Sequence, residues 1–187
     1  DELRPEARAT VERLKALGVE RTVMLTGDNE RTAAAIAAAV GVDDYAAELM
    51  PGAKVDHVES LVAETDGVAM VGDGINDAPA LATATVGVAM GAVGTDTALE
   101  TADIALLSDD LSKLPYLYEL ADDANVVIRQ NVWASLAVKA GLAIAVPFSY
   151  VPIWLAVLAG DAGMTTAVTG NAMRLSRIAP TSLLDEE

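Results

Sequence analysis

Residues 68–81 read VAMVGDGINDAPAL, which is an apolar run, then a turn rich in glycine and aspartate, then a helix-forming segment. The apolar run Val68–Val71 has the length and composition of a buried strand. The turn Gly72-Asp73-Gly74 follows it directly, and the stretch from Asp77 to Ala82 favours a helix. This order of strand, polar turn and helix is the repeating unit of α/β folds.

The same unit occurs earlier in the chain. Arg21–Leu25 is a short apolar run followed by the turn Thr26-Gly27-Asp28-Asn29, and an alanine-rich helix is predicted from Glu30 to Val40, ending at Gly41. Further predicted elements are the helices Pro5–Leu17 and Lys54–Glu64 and the strands Val86–Met90 and Ile104–Leu107. Apolar strands alternating with helices predict a parallel sheet with both faces covered.

Charge is distributed unevenly along the 187 residues. Residues 1–128 contain 24 acidic and 8 basic side chains, whereas residues 129–187 contain four of each, so the first part carries the whole net charge of −16. The high apolar content excludes a disordered chain. Because the acidic part has no basic stripe, we expect no nucleic-acid partner. With no cysteine and only His57, a thiolate or histidine metal site within this chain is also excluded.

Two polar turns, Thr26-Gly27-Asp28 and the one that contains Asp73, Asn76 and Asp77, follow predicted strands. Ligands of open α/β sheets bind beyond the carboxyl ends of the strands, and glycine turns before helices suit phosphate. Two carboxylates four residues apart suit Mg²⁺. These turns therefore predict a site for phosphate and magnesium. The structural alternative is that Asp28 and Asp77 cap helices and Asp73 is a turn residue.

These motifs also carry a family resemblance. Thr26-Gly27-Asp28-Asn29, then Pro51 with Lys54, then the string from Gly72 to Leu81 occur in this order and at similar spacing in P-type ATPases. The chain up to residue 110 resembles the distal half of their phosphorylation domain, which has a haloacid dehalogenase-like, Rossmann-like parallel sheet. The family's phosphorylated aspartate lies in an Asp-Lys-Thr-Gly-Thr string that this sequence does not contain. We therefore expect the chain to be part of a longer protein.

The resemblance also implies roles for residues of the two turns. Thr26 and Asn76 would hydrogen-bond the transferred phosphoryl group, Lys54 would neutralise it, and Gly27 and Asp28 would shape the phosphate loop. Asp73 would bind Mg²⁺, with Asp77 beside it as a ligand or as a residue that orients one. For Lys54 the structural alternative is a solvated lysine at the start of a helix.

From residue 111 onward the pattern indicates a membrane hairpin. A helix over Lys113–Arg129 continues into the apolar stretch Val132–Val146, and a proline-containing turn precedes a second apolar stretch, Ile153–Met173. Each stretch would extend roughly 25 to 30 Å, enough for a bilayer core with some tilt. The arginines lie on the side opposite the turn, which places both ends of the hairpin in the cytoplasm. A buried hairpin of a soluble protein is the alternative.

We accordingly divide the chain into a phosphorylation-domain part (1–110), a connecting helix (111–130), a transmembrane helix (131–148), an extracytoplasmic turn (149–152), a second transmembrane helix (153–174) and a cytoplasmic tail (175–187).

Two charged residues lie within the apolar stretches. Lys139 and Asp161 are each 11 residues from Tyr150 at the turn, so both would lie about 16 Å from that end. Because a charge inside a membrane costs about 2.5 to 3.5 kcal/mol, an acid and a base at one depth predict a pair that faces the protein interior or an ion path. The alternatives are a salt bridge that only holds the hairpin together and a lysine that extends to the membrane surface.

The hairpin resembles the last two membrane helices of heavy-metal pumps of the zinc, cadmium and lead branch. The resemblance rests on Arg129-Gln130-Asn131, Lys139, Asp161-Ala162-Gly163 and the string from Asn171 to Leu175. It implies that Asp161 is a ligand of the transported metal and that Lys139 is its partner. A carboxylate ligand suits a divalent ion better than monovalent copper.

The resulting prediction is part of an ATP-driven exporter of Zn²⁺, Cd²⁺ or Pb²⁺ that forms an aspartyl-phosphate intermediate. The intact protein would be a multi-pass plasma-membrane enzyme that uses ATP and Mg²⁺, with the acidic domain in the cytoplasm, whereas the fragment alone would not be catalytic. Its partners would be the metal ion, membrane lipid and the pump's actuator domain, nucleotide domain and earlier helices. Four lysines among 12 basic residues, with the acidic excess, also suggest a halophilic organism.

Three alternatives stay open at this point. One is a membrane-tethered phosphatase of the dehalogenase superfamily, which would need an Asp-x-Asp nucleophile pair on a strand. The second is a Cu⁺ or Co²⁺ pump of the same family. The third is a non-catalytic magnesium-binding domain on a membrane anchor.

Overall fold

The computed structural model describes residues 3–73, 76–91 and 100–178. The described residues form two compact units, one that extends to Leu114 and one that begins at Pro115.

The described part of the first unit alternates helices and strands, as the sequence pattern predicts. The helices are α1 (Ala7–Ala16), α2 (Glu30–Val40), α3 (Pro51–Glu64) and α4 (Ala78–Thr83). The strands are β1 (Val23–Leu25), β2 (Asp44–Ala46), β3 (Ala69–Gly72), β4 (Val86–Met90) and β5 (Ile104–Leu106).

All strand pairs in the described residues are parallel, which confirms the predicted α/β class. Strands β1 and β2 form one pair, with Val23 opposite Asp44, and β3, β4 and β5 form a second sheet in that order. The buried residues Leu81 of α4 and Ala89 of β4 form the centre of the core, against which Met70 packs. The core therefore lies between α4 and the sheet that contains β3, β4 and β5.

Local sequence signals fix the helix ends near the polar turns. Asn29 caps α2, since its Oδ1 accepts hydrogen bonds from the Thr32 backbone N–H (3.0 Å) and hydroxyl (3.1 Å). Helix α3 begins at Pro51, whose fixed φ suits a first helical turn. The sequence pattern places this start three residues later, at Lys54, so Lys54 lies in the first turn of the observed helix.

A cluster around Asp43 joins α1 to the start of the β1–β2 pair. Lys15 Nζ donates to Asp43 Oδ1 (2.6 Å) and to the Gly41 carbonyl (2.9 Å), while the Thr22 N–H and hydroxyl donate to Asp43 Oδ2 (both 2.8 Å). The hydrogen bond from Lys15, followed by those from Thr22, lowers the pKa of Asp43 from 3.8 to about 2. The ionised carboxylate thus links three elements.

The second unit is a helical hairpin. Its elements are α5 (Lys113–Ala145, beginning in the first unit), α6 (Ile153–Leu158), a π-helical turn (Ala159–Gly163), α7 (Met164–Ala172) and a 3₁₀ turn (Met173–Arg177). Asn171 contacts Asn131 and Gly160 approaches Leu142, so α5 runs antiparallel to α6 and α7. The predicted second apolar stretch is therefore not a regular α-helix throughout.

The surface of the hairpin is unusually apolar. Large side chains such as Trp133, Leu136, Ile144 and Trp154 are more than half exposed. By length and composition, Ile153–Ser176 is the one helical stretch in the described part of the chain that could cross a membrane. Exposed apolar patches of this kind mark contact with lipid or with other helices. A transmembrane role for α5 stays a prediction.

Candidate functional site

The first part of the site is the turn after β1. The Thr26 hydroxyl donates to Asp28 Oδ2 (2.9 Å) and accepts from the Asp28 N–H (3.1 Å), so the two side chains hold the turn closed around Gly27. Both side chains present oxygen at the carboxyl end of a parallel strand. This is the position that the sequence analysis predicts for a phosphate loop.

A second loop, after β2, holds this turn in place. The Glu48 N–H donates to the Asp28 carbonyl (2.8 Å), and the Leu49 N–H donates to the Thr26 carbonyl (3.0 Å). Glu48 has φ 54°, a left-handed conformation that is uncommon for residues other than glycine. No local motif in the sequence marks Glu48 as part of the site. Its backbone is part of the support of the Thr26–Asp28 turn.

An ion pair joins the first turn of α3 to the residue before α4. Lys54 Nζ, from the first turn of α3, donates to Asp77 Oδ1 at 2.6 Å, and the two side chains are only 19% and 15% exposed. Of the ion pairs between described residues, this one is the least exposed. Low exposure strengthens a charge-assisted bond because water screens it less. Lys54 is thus held at the end of β3, not solvated.

Asp73 and Asn76 form a second pair in the turn after β3. Asp73 Oδ1 accepts from the Asn76 N–H (3.1 Å) and Oδ2 accepts from Asn76 Nδ2 (3.2 Å). Asp73 directly follows the last residue of β3 and so has its carboxylate at the sheet edge. Residues 74 and 75, which lie between the pair, fall outside the described part.

Gly72 provides the space that Asp77 occupies. A Cβ atom at position 72 would lie 2.8 Å from Asp77 Cβ and 2.9 Å from Asp77 Oδ2. Such distances are shorter than van der Waals contact, so any larger residue would displace Asp77 or the strand. The glycine of the motif therefore has a steric role that its sequence position alone does not reveal.

The predicted site residues form three small groups. These are Thr26 with Gly27 and Asp28, Lys54 with Asp77, and Asp73 with Asn76. Strands β1 and β3, which carry the turns, are not hydrogen-bonded neighbours in the described sheets. Within the described residues no group of three acidic or histidine side chains could hold a metal, so this described part would offer Mg²⁺ the two carboxylates at positions 73 and 77. That oxygen set suits Mg²⁺, which commonly takes one or two carboxylates together with phosphate and water.

The ion pair that the sequence predicts between the two charged residues of the hairpin does not form among the described residues. Lys139 and Asp161 are both exposed, and among the described residues neither forms an ion pair. The antiparallel contacts place them at similar levels along the hairpin, as their spacing from Tyr150 predicts. Asp161 lies in the middle of the π-helical turn, a feature that the periodicity of the sequence does not indicate.

A polar cluster that the sequence analysis did not assign a role joins the two helices of the hairpin. Asn171 Nδ2 donates to Asn131 Oδ1 (2.9 Å) and to Gln130 Oε1 (3.3 Å), and Arg174 Nη1 donates to Asn171 Oδ1 (3.2 Å). Amides in otherwise apolar helices are the sequence signal for such a contact, because they require hydrogen-bond partners there.

Comparison with known proteins agrees with this geometry. The family of haloacid dehalogenase-like hydrolases matches residues 1–85. A probable cadmium-transporting ATPase of Listeria monocytogenes is 49% identical over 178 residues, which are 95% of this chain and 25% of that protein. A manganese-exporting P-type ATPase of Mycobacterium leprae is 48% identical over 178 residues, 95% of this chain and 24% of that protein.

A solved structure extends the agreement to three dimensions. The crystal structure of a zinc-transporting PIB-type ATPase in the E2.Pi state superposes with a TM-score of 0.86 at 47% identity, covering 95% of this chain and 28% of that chain. The chain belongs to the P-type ATPases. It spans about a quarter of the length of the curated relatives that it matches. The first unit of this P-type ATPase chain is accordingly a haloacid dehalogenase-like domain.

Proposed function

We propose that the chain is the distal part of the phosphorylation domain, with the last two membrane helices, of an ATP-driven exporter of divalent heavy-metal ions. The observation that carries the proposal is the shielded Lys54–Asp77 ion pair at the end of β3, beside Asp73. The names of the relatives, which include cadmium, zinc and manganese transporters, support the metal-pump assignment.

The geometry suits phosphoryl transfer to an aspartate supplied by another segment of the pump. Charge develops on phosphoryl oxygens during transfer, so fixed cations and donors lower the barrier. Lys54 would neutralise that charge, and the Thr26 hydroxyl and the Asn76 amide would donate hydrogen bonds. A bound phosphoryl group would compete with Asp77 for Lys54, leaving the Asp77 carboxylate available. Asp73 and Asp77 would hold Mg²⁺, which supplies further positive charge at the phosphoryl oxygens.

The hairpin would supply part of the transport site. Asp161 is the one acidic side chain of its helix, and we assign it as a ligand of the transported ion with Lys139 as its counter-charge. Both side chains are exposed on the hairpin, where earlier helices of the pump would cover them. A carboxylate suits zinc, cadmium, lead and also manganese, so the manganese exporters among the relatives add Mn²⁺ as a further candidate for the transported ion.

A dehalogenase-type phosphatase is the less favoured functional hypothesis. The sequence contains no Asp-x-Asp pair on a strand, and the hairpin carries charged residues that a simple anchor would not need. If a variant that lacks both Lys139 and Asp161 kept normal pump activity, the hairpin would serve only as a membrane anchor.

Lys54→Ala tests the proposal in the intact protein. Loss of one fixed cation from the transition state should slow metal-dependent phosphorylation by ATP about 100-fold or more. The measurement is the initial rate of ³²P incorporation from labelled ATP. Lys113→Ala, a lysine whose ammonium donates to the Ser108 hydroxyl, is the matched control and should phosphorylate normally. An equal rate in Lys54→Ala and in the wild type would remove Lys54 from the site.

A further inference from the structure

The helix that carries Asp161 is interrupted by the π-helical turn Ala159–Gly163. At its end the Met164 N–H donates to the Ala159 carbonyl, five residues back, and to the Asp161 carbonyl. The Gly160 carbonyl therefore loses the donor that an α-helix would give it. Such turns are rare and poorly hydrogen-bonded, and they frequently occur at functional sites.

The composition of the turn does not explain its geometry. Its two alanines favour an α-helix, and its two glycines disfavour one by about 1 kcal/mol each without specifying a π-helical turn in its place. The surroundings are also permissive, because a methyl group at Gly163 would lie 3.7 Å from the Leu158 carbonyl oxygen, an ordinary contact. Local sequence thus allows a regular α-helix at this point. The wide turn instead coincides with the one acidic residue of the helix.

The turn affects both the helix face and the contacts on either side of it. One additional residue in a turn rotates all following residues by about 100° relative to an α-helix. Before Asp161, Gly160 is buried at the approach to Leu142 of α5, where its missing Cβ would lie 3.4 Å from Leu142 Cδ1. After Asp161, the Asn171 amide donates to Asn131 Oδ1 of α5 at 2.9 Å. Asp161 thus lies between two contacts with α5, and the direction of its side chain depends on the width of the turn.

We propose that the π-helical turn Ala159–Gly163 positions Asp161, so that its carboxylate binds the transported divalent ion in a direction that an α-helix would not give. The inference rests on the proposed function, since it assumes that Asp161 is a metal ligand. Residues Ala159, Gly160, Ala162 and Gly163 act through Asp161 and are positioning residues. Displacing the Asp161 carboxylate by a change in the width of the turn should weaken metal binding about 10- to 100-fold, as loss of the residues that orient metal ligands does at other sites.

Two variants of the intact pump with identical composition separate the turn from other effects. Both lack Ala162. In the first, an alanine is inserted between Gly163 and Met164, which restores a five-residue wide turn. In the second, the alanine is inserted after Val168, which restores the helix length but leaves a regular α-helix at Asp161. The measurement is ATP hydrolysis as a function of Zn²⁺ concentration, with phosphorylation by inorganic phosphate as the check that the phosphorylation domain is folded.

The first variant should resemble the wild type, and the second should need about 10- to 100-fold more Zn²⁺ for half-maximal stimulation. Equal Zn²⁺ dependence in both variants and the wild type would overturn the positioning role while leaving the proposed function intact. A wild-type pump without metal-stimulated hydrolysis would instead overturn the proposed function, and the inference with it. If the second variant does not fold, Gly163→Ala gives the same test, because it removes one of the two glycines that the first variant keeps, and alanine favours the α-helix by about 1 kcal/mol. An unchanged Zn²⁺ dependence in Gly163→Ala would count against the positioning role of the turn.

Discussion

The ion pair between Lys54 and Asp77 is the residue-scale feature on which the proposed phosphate site depends. The residues are 23 positions apart, so the sequence motifs predict a role for each but not their contact. Exposed ion pairs contribute about 0 to 1 kcal/mol, whereas this pair is largely shielded from water. It holds the Lys54 ammonium group at the end of β3 before any phosphate binds. This prior positioning reduces the entropy cost of arranging the site.

Gly72→Ala should disrupt this pair. The added methyl would lie within 3 Å of the Asp77 Cβ and Oδ2 atoms, so Asp77 must move away from Lys54. We expect phosphorylation of the intact pump to fall at least tenfold and the domain to lose about 1 to 3 kcal/mol of stability. Gly67→Ala is the matched control, because a methyl at position 67 would meet only Thr85 Cγ2, at 3.9 Å. A Gly72→Ala variant that is phosphorylated at the wild-type rate would show that the space beside Asp77 is not needed.

At the scale of elements, the sequence predicts most helices and strands because their apolar periodicity is clear. Helix α2 has the predicted bounds, and α5 continues through Arg129 without a break, as expected. Strand β2 was missed, because Asp44-Tyr45-Ala46 is short, polar and largely exposed, and it is stabilised by pairing with β1. The π-helical turn was missed because nothing in an alanine- and glycine-rich segment distinguishes it from an α-helix. Both misses concern structure that depends on tertiary contacts more than on local preference.

The Asp43 cluster gives a prediction about the joint between α1, β1 and β2. The folded pKa of about 2 lies below the ordinary 3.8, so the carboxylate stabilises the fold above about pH 4 and loses this effect as the pH falls through about 2. Asp43→Asn should therefore lower the thermal midpoint of the chain in detergent at pH 7, and the difference from wild type should shrink below pH 4. Asp56→Asn, at an exposed position of α3, is the control.

Carboxyl ¹³C chemical shifts measured across this pH range would give the Asp43 pKa directly. A titration midpoint near 4 would contradict the cluster.

At the scale of the whole molecule, the chain combines two units of different character. The first carries the net charge of −16 and the turns that we propose to bind phosphate, and the hairpin unit presents apolar side chains over much of its surface. The predicted class is a dehalogenase-like domain followed by a two-helix transmembrane hairpin; the domain is confirmed, together with one apolar helix near the C-terminus that is long enough to cross a membrane. The charges in the hairpin could be placed at one depth from spacing alone. The spacing also predicts that the two charges pair, but among the described residues neither forms an ion pair.

The acidic excess predicts a dependence on salt. Like charges repel within the compact state, and about 1 M salt shortens the screening length to about 3 Å. The thermal midpoint of the chain in detergent, followed by circular dichroism, should therefore rise with KCl concentration. The triple variant Asp56→Asn, Glu59→Gln, Asp66→Asn, at exposed positions, should depend less on salt. A midpoint that is independent of KCl would contradict an adaptation to high salt.

Asp161→Asn in the intact pump tests the central claim, that this chain helps to move a divalent metal with energy from ATP. ATP hydrolysis would be measured with Zn²⁺, Cd²⁺, Pb²⁺ and Mn²⁺ in turn, together with phosphorylation by inorganic phosphate. The amide keeps the shape of the side chain but removes its charge, so metal stimulation should disappear while phosphorylation by inorganic phosphate persists. Stimulation equal to that of the wild type, with any of the four ions, would contradict the claim.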